Sequence, residues 1–158
     1  MDEKYIKQNE NDVLLPAIQK VGCFFRSCLN AVERELHVTL STVQLNALWD
    51  KCKVIGLIDS DDCLMSGAKL MNLAADFVHI PAKFAEIGLK VGKHYEPYLW
   101  AEKAGLKPTI FIRKFNQNGP SKYHYVLADA NDKLIWDPHI PDIIDRGEVF
   151  TICFCRIK

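Results

Sequence analysis

The stretch "AIQKVGCFFRSC" (residues 17–28) sets a glycine and then a cysteine directly before an amphipathic run. From Cys23 onward the apolar or small positions Phe24, Ser27, Cys28, Ala31, Val32 and Leu36 recur at three- and four-residue steps. That spacing predicts a helix running to about His37. A cysteine that opens a helix lies among unpaired backbone N–H groups at the positive end of the helix dipole, which favours its thiolate. Gly22 beside it would let a substrate backbone approach the sulfur. Cys28 falls about 140° further round the helix and faces elsewhere, towards packing. Taken alone, a cysteine at a helix start is most often a small apolar residue bound for a core. The rest of the chain decides between these readings.

Upstream, residues 1–15 form a polar arm, and Gln19 is expected on a loop before the nucleophile. Downstream, Ser41 and Gln44 make a capping box for a second helix whose buried face is Leu45, Leu48, Trp49 and Cys52, with Gly56 placed to end it. "DSDD" (59–62) is a turn; as a calcium loop it fails, because Leu64 and Leu70 occupy the positions that need glycine and glutamate. Ser66 caps a third helix with Leu70, Leu73, Ala74 and Phe77 on its inner face, ending before Pro81. Short helical pieces are expected around Phe84 and Trp100, the latter ending at Gly105. Beyond Gly105 the period changes to that of strands: "PTIFIRKF" (108–115), "KYHYVLAD" (122–129), "KLIWD" (133–137) and "EVFTICFCRIK" (148–158). "NQNGP" and "ANDK" read as hairpin turns. The expectation is an α+β fold in a single domain over 1–158, helical across 16–105 and an antiparallel sheet across 106–158.

Composition narrows the function. The 158 residues carry 20 basic and 20 acidic side chains, so no net field favours nucleic acid or an anionic membrane. No apolar run is long enough to span a bilayer, and the polar N-terminus has no signal-type apolar region. The six cysteines, at 23, 28, 52, 63, 153 and 155, include no CxxC pair. They read as reduced thiols in a cytoplasmic protein. Cys153 and Cys155 alternate along the last strand and are expected in the core rather than on zinc. No cofactor or metal is called for, and the sequence assigns no oligomeric state.

Thiol catalysis needs a thiolate, an imidazole within reach and a group that fixes the imidazole. His124 stands near the start of one strand and Asp137 at the end of the next. An even-length hairpin loop puts both on one face of the sheet, and an odd loop splits them across faces. His139, two residues past Asp137, is a competing base, although Pro138 places it in a loop. Gln19 and the Cys23 N–H are candidate donors for a developing oxyanion.

The order Gln19, Gly22-Cys23, "YHYVLAD" with His124 and "IWDP" with Asp137 resembles the papain-like cysteine peptidase superfamily. Within it the chain looks most like the bacterial peptidases that trim double-glycine leader peptides. The resemblance implies Cys23 as nucleophile, His124 as base, Asp137 as its orienting partner and Gln19 as oxyanion donor, acting on a peptide or amide substrate. It covers the first helix and the final third of the chain. Two positions depart from the family pattern. Gln19 lies closer to the cysteine than the family's glutamine, and Phe24 stands where a glycine or tryptophan is frequent. The alternative is a papain-like scaffold without turnover, serving as a binding or regulatory protein.

Overall fold

A computed structural model describes residues 5–117 and 122–157. In chain order it has α1 (Pro16–Val21), α2 (Cys23–Leu36), α3 (Thr42–Val54), α4 (Gly67–Phe77), β1 (Phe84–Val91), β2 (His94–Pro97), α5 (Leu99–Lys103), β3 (Ile110–Asn116), β4 (Tyr123–Ala128), β5 (Leu134–Trp136) and β6 (Glu148–Arg156). The strands form one antiparallel sheet in the order β2-β1-β6-β3-β4-β5. The α+β expectation therefore holds at the level of N-terminal helices and a six-stranded antiparallel sheet. No helix among the described residues is long and apolar enough to cross a membrane.

The helices end where local chemistry stops them. At α3 the Ser41 Oγ accepts from the Gln44 N–H at 3.2 Å while the Gln44 side chain accepts from the Ser41 N–H at 2.9 Å, which satisfies two otherwise open donors. Gly56, at φ +80°, turns the chain out of that helix. Ser66 caps α4 through the Lys69 N–H. Gly67 then lies against α2 so closely that a Cβ there would meet Cys28 Sγ and Phe154 Cζ at 3.0 Å each.

The expected helical piece around Phe84 is instead a strand, so the helical span does not reach 105 without interruption. β1 and β2 form a hairpin turned at Gly92, φ +61°. A bulge between Glu86 and Gly88 breaks the period-two alternation by which β1 would be recognised. Gly88 is needed there because an added Cβ would lie 2.6 Å from the Glu96 carbonyl oxygen. The segment before Cys23, expected as a loop, is the short helix α1 with Pro16 in its first turn, and Gln19 sits on that helix. The "NQNGP" turn falls largely on residues 118–121, outside the described residues.

Helix α2 runs through the middle of the molecule, and every residue from Phe25 to Glu33 is buried. Its apolar side joins one core with α3, α4 and the sheet residues Ile110, Ile112, Leu127, Ile152 and Phe154. The polar side is buried as well. Arg26 reaches Glu33 at 3.1 Å, donates from Nε to the Ile6 carbonyl at 2.8 Å and stacks 5.0 Å from the Trp136 ring centroid. Glu33 also accepts from Asn30 Nδ2 at 3.2 Å and from the Leu40 N–H at 2.9 Å. Two charges taken fully out of water are tolerable only when paired and hydrogen-bonded in this way. Glu33→Ala leaves the Arg26 cation buried without its counter-charge, and urea denaturation should show a loss of about 3 kcal/mol, with a smaller loss for Glu33→Gln. A loss below about 1 kcal/mol would mean that solvent reaches Arg26.

Candidate active site

The nucleophile candidate sits at a junction of two helices. Gly22 closes α1 by donating its N–H to the Ile18 carbonyl at 3.0 Å, and its own carbonyl accepts the Arg26 N–H at 2.8 Å to begin α2. A side chain at position 22 would strike the Ile18 carbonyl oxygen at 2.4 Å. The glycine is thus required by the approach of α1 to α2, a different reason from the substrate access its neighbour suggested. The Gly22 carbonyl is the first acceptor of α2, and no side chain caps that helix at Gly22.

Cys23 is half-buried and lines a cleft of about 250 Å3. Phe24, Trp49 and Tyr125 supply its apolar wall, with Phe24 and Tyr125 stacked at 4.6 Å between centroids. Asp61 and Cys63, from the turn after α3, also line it. That turn is held by the Asp59 carboxylate, which accepts the N–H groups of Asp61 and Cys63 at 2.9 and 3.0 Å. Residues 82–105 contribute nothing to this cleft; their β1–β2 hairpin lies at the far edge of the sheet from β4 and β5. A larger groove of about 510 Å3, between the end of α3 and α4, contains none of Cys23, His124 and Asp137.

The structure brings His124 and Asp137 together. His124 Nε2 lies 2.7 Å from Asp137 Oδ1, and both residues are buried. Their alignment depends on a bulge. The β4–β5 loop runs from Asp129 to Lys133, an odd length, and Ala128 pairs with Leu134. Continued without interruption, that register would set Asp137 opposite Tyr125, on the face away from His124. The next pair is instead Leu127 with Trp136, so Ile135 is an extra residue in β5. The insertion shifts the alternation by one and returns Asp137 to the His124 face.

Asp137 is fixed as a carboxylate by further donors. Oδ1 accepts the His139 N–H and Oδ2 the Ile143 N–H, each at 2.9 Å. Burial by itself would raise the Asp137 pKa, but the His124 hydrogen bond and charge and these two N–H groups hold it below the ordinary carboxylate value. Burial by itself would lower the His124 pKa. Hydrogen bonds with Asp137 and with the Cys23 side chain outweigh it and carry His124 up to about 9. Since Nε2 serves Asp137, Nδ1 is the ring nitrogen left for Cys23. Phe115 packs edge-on against the imidazole at 5.5 Å.

The remaining candidates fall outside this arrangement. Gln19 donates its side-chain amide to the Leu14 carbonyl at 2.7 Å, a bond within its own turn of chain. His139 lies after β5 as expected; its Nδ1 is 3.0 Å from the Pro141 carbonyl and its ring 6.2 Å from that of His124. Cys28 is buried, and desolvation aided by the nearby Glu86 and Cys23 charges pushes its thiol well up. Burial alone takes Cys52 to about 11. Cys153 and Cys155 lie in the core of the last strand, and burial raises both thiols. Cys63 is exposed, and no group of three potential metal ligands occurs among the described residues. One residue beside the site escaped the sequence reading. Gln8 is buried, donates from Nε2 to the Gln19 carbonyl at 3.1 Å and from its backbone N–H to Pro138 at 2.7 Å. Nothing in the polar arm marks it, because its partners are remote in sequence.

Comparison of the chain with protein-family models, with curated proteins and with solved structures finds no match.

The His124–Asp137 pair makes stability depend on pH with a defined sign. A histidine raised from 6.5 to about 9 contributes its stabilisation fully below about 6.5 and loses it as pH rises through 9. A lowered carboxylate contributes above its unfolded value of 3.8 and loses its contribution as pH falls. The stability difference between the protein and Asp137→Asn, from urea denaturation, should therefore be largest from about pH 4 to 6.5 and shrink by about pH 9.5. A difference independent of pH would contradict the pairing.

Proposed function

We propose that the protein is a thiol hydrolase of peptide or amide bonds, built like a papain-type cysteine peptidase, with Cys23 as nucleophile, His124 as acid–base and Asp137 as the partner that orients His124. The observation that carries the reading is the buried His124–Asp137 pair, 2.7 Å apart, with Cys23 lining an open cleft and counting among the groups that raise the His124 pKa. A raised imidazole pKa leaves His124 with a proton to give to a leaving group.

The Cys23 sulfur attacks the substrate carbonyl carbon and a C–S bond forms. The negative charge moves to the carbonyl oxygen, which the Cys23 N–H at the open helix start stabilises. His124 gives its Nδ1 proton to the leaving nitrogen as the C–N bond breaks. Water then attacks the thioester, His124 takes up its proton, and the acid departs with the thiolate restored. Asp137 stays charged throughout and stabilises the imidazolium.

The commitment of the Gln19 amide to Leu14 favours the second reading, a papain-like scaffold that binds without turnover, since it leaves the oxyanion a single assigned donor. A mixed peptide library incubated with the protein and read by mass spectrometry separates the two. The hydrolase reading predicts new termini that disappear with Cys23→Ala and with His124→Ala, and that form on the order of 10²- to 10⁴-fold more slowly with Asp137→Asn. Cleavage that survives Cys23→Ala would overturn it. An uncut library would support the scaffold.

A further inference from the structure

Residues Tyr5–Asn9 do more than lead into α1. They run alongside the segment that follows β5 and engage it residue by residue. The Lys7 ammonium donates to the Asp137 carbonyl and lies 5.1 Å from the Trp136 ring centroid. The Gln8 N–H donates to the Pro138 carbonyl at 2.7 Å. The Asn9 side chain holds both backbone groups of Ile140: Nδ2 donates to the carbonyl at 2.7 Å, and Oδ1 accepts the N–H at 2.9 Å. Asn9 Nδ2 also lies 3.4 Å from His139 Nε2. At the other end of the arm, the Ile6 carbonyl accepts from Arg26, and Tyr5 packs edge-on against Trp136 at 6.5 Å. The arm is therefore pinned to α2 on one side and to the Asp137 segment on the other.

We propose that the arm is a positioning strap for the candidate catalytic carboxylate, with Asn9 as its principal positioning residue. The proposal rests on the Cys23–His124–Asp137 reading and extends it. The Asp137 carboxylate depends on two donors from its own segment, the N–H groups of His139 and Ile143. Both point at it only while the chain between them keeps its fold, and Ile140 lies between them. An asparagine that grips the N–H and C=O of one residue acts as a single rung of sheet, fixing that residue's position and orientation together. Lys7 holds the carbonyl of Asp137 itself. Asn9 touches neither Cys23 nor His124 and acts through Asp137.

The groups that face His124 are Cys23 from α2 and Asp137 and His139 from the segment after β5; Arg113, Asp132 and Asp145 line a cavity that Asp137 also lines. Of these, the strap fixes the segment that carries Asp137 and His139. Its removal should therefore be felt at the imidazole before it is felt by the fold.

The test is the NMR titration of the His124 ring nitrogens in the full chain, which needs no substrate. In the protein itself His124 should titrate near 9. Asn9→Ala should bring that value down by about one pH unit or more and slow iodoacetamide labelling of Cys23 several-fold. The control is Asn72→Ala. Asn72 clamps both backbone groups of Phe84 in the same manner, accepting its N–H at 2.7 Å and donating to its carbonyl at 3.1 Å, but at β1, towards the other edge of the sheet from β5. It should leave the His124 titration unchanged. Lys7→Met keeps an aliphatic chain on Trp136 and removes only the donor to Asp137; it should produce a smaller shift in the same direction and answers the question if Asn9→Ala does not fold. Equal shifts in the Asn9 and Asn72 variants, or none in the Asn9 and Lys7 variants, would overturn the strap. A His124 that titrates near 6.5 in the unaltered protein would overturn the site and the strap with it.

Discussion

One buried guanidinium ties together the parts on which everything else rests. Arg26 bonds Glu33 along α2, holds the Ile6 carbonyl of the N-terminal arm and stacks on Trp136 of β5. A cation in that position needs a counter-charge and acceptors such as Glu33 and the Ile6 carbonyl, because an unpaired charge in a low-dielectric interior is far more costly than the ordering needed to pair it. The helix that begins at Cys23, the arm and the strand that leads to Asp137 are thereby made to meet in one place. The candidate chemistry then lies at the edge of a rigid unit, on the open end of a helix buried along most of its length.

Electrostatics at the site follow from the same placement. Burial disfavours charge on both His124 and Asp137, and each overcomes it only through the other and through hydrogen bonds from neighbouring groups. The basicity of the imidazole is set by contacts from three separate elements: the start of α2, β4 and the segment after β5. A change in any one of them is felt as a change in the basicity of the imidazole.

Much of this was legible in the sequence, and the remainder was hidden for identifiable reasons. The three- and four-residue spacing after Cys23, the capping box at Ser41 and the β-branched and aromatic runs after Gly105 each report a local preference that the tertiary structure keeps. The positions of His124 near the start of one strand and Asp137 at the end of the next also pointed to a pair, and the structure sets their side chains 2.7 Å apart. β1 was missed because the bulge at Gly88 interrupts its alternation. Whether Asp137 would face His124 could not be read from loop length, since the odd loop is corrected by the extra residue Ile135. The role of Tyr5–Asn9 was invisible because its partners lie about 130 residues away and its composition is that of any polar arm. Gln19 carried a motif position, but six residues of helix around it turn its amide to Leu14.

The central claim is that Cys23 owes its reactivity to His124, and thiol labelling tests it most directly. With iodoacetamide at neutral pH and mass-spectrometric mapping of all six cysteines, Cys23 should react on the order of tenfold faster than the exposed Cys63, with the buried thiols last. His124→Ala should abolish that advantage while leaving the Cys63 rate unchanged. Equal rates at Cys23 and Cys63 in the unaltered protein, or an advantage at Cys23 that persists without His124, would contradict the account.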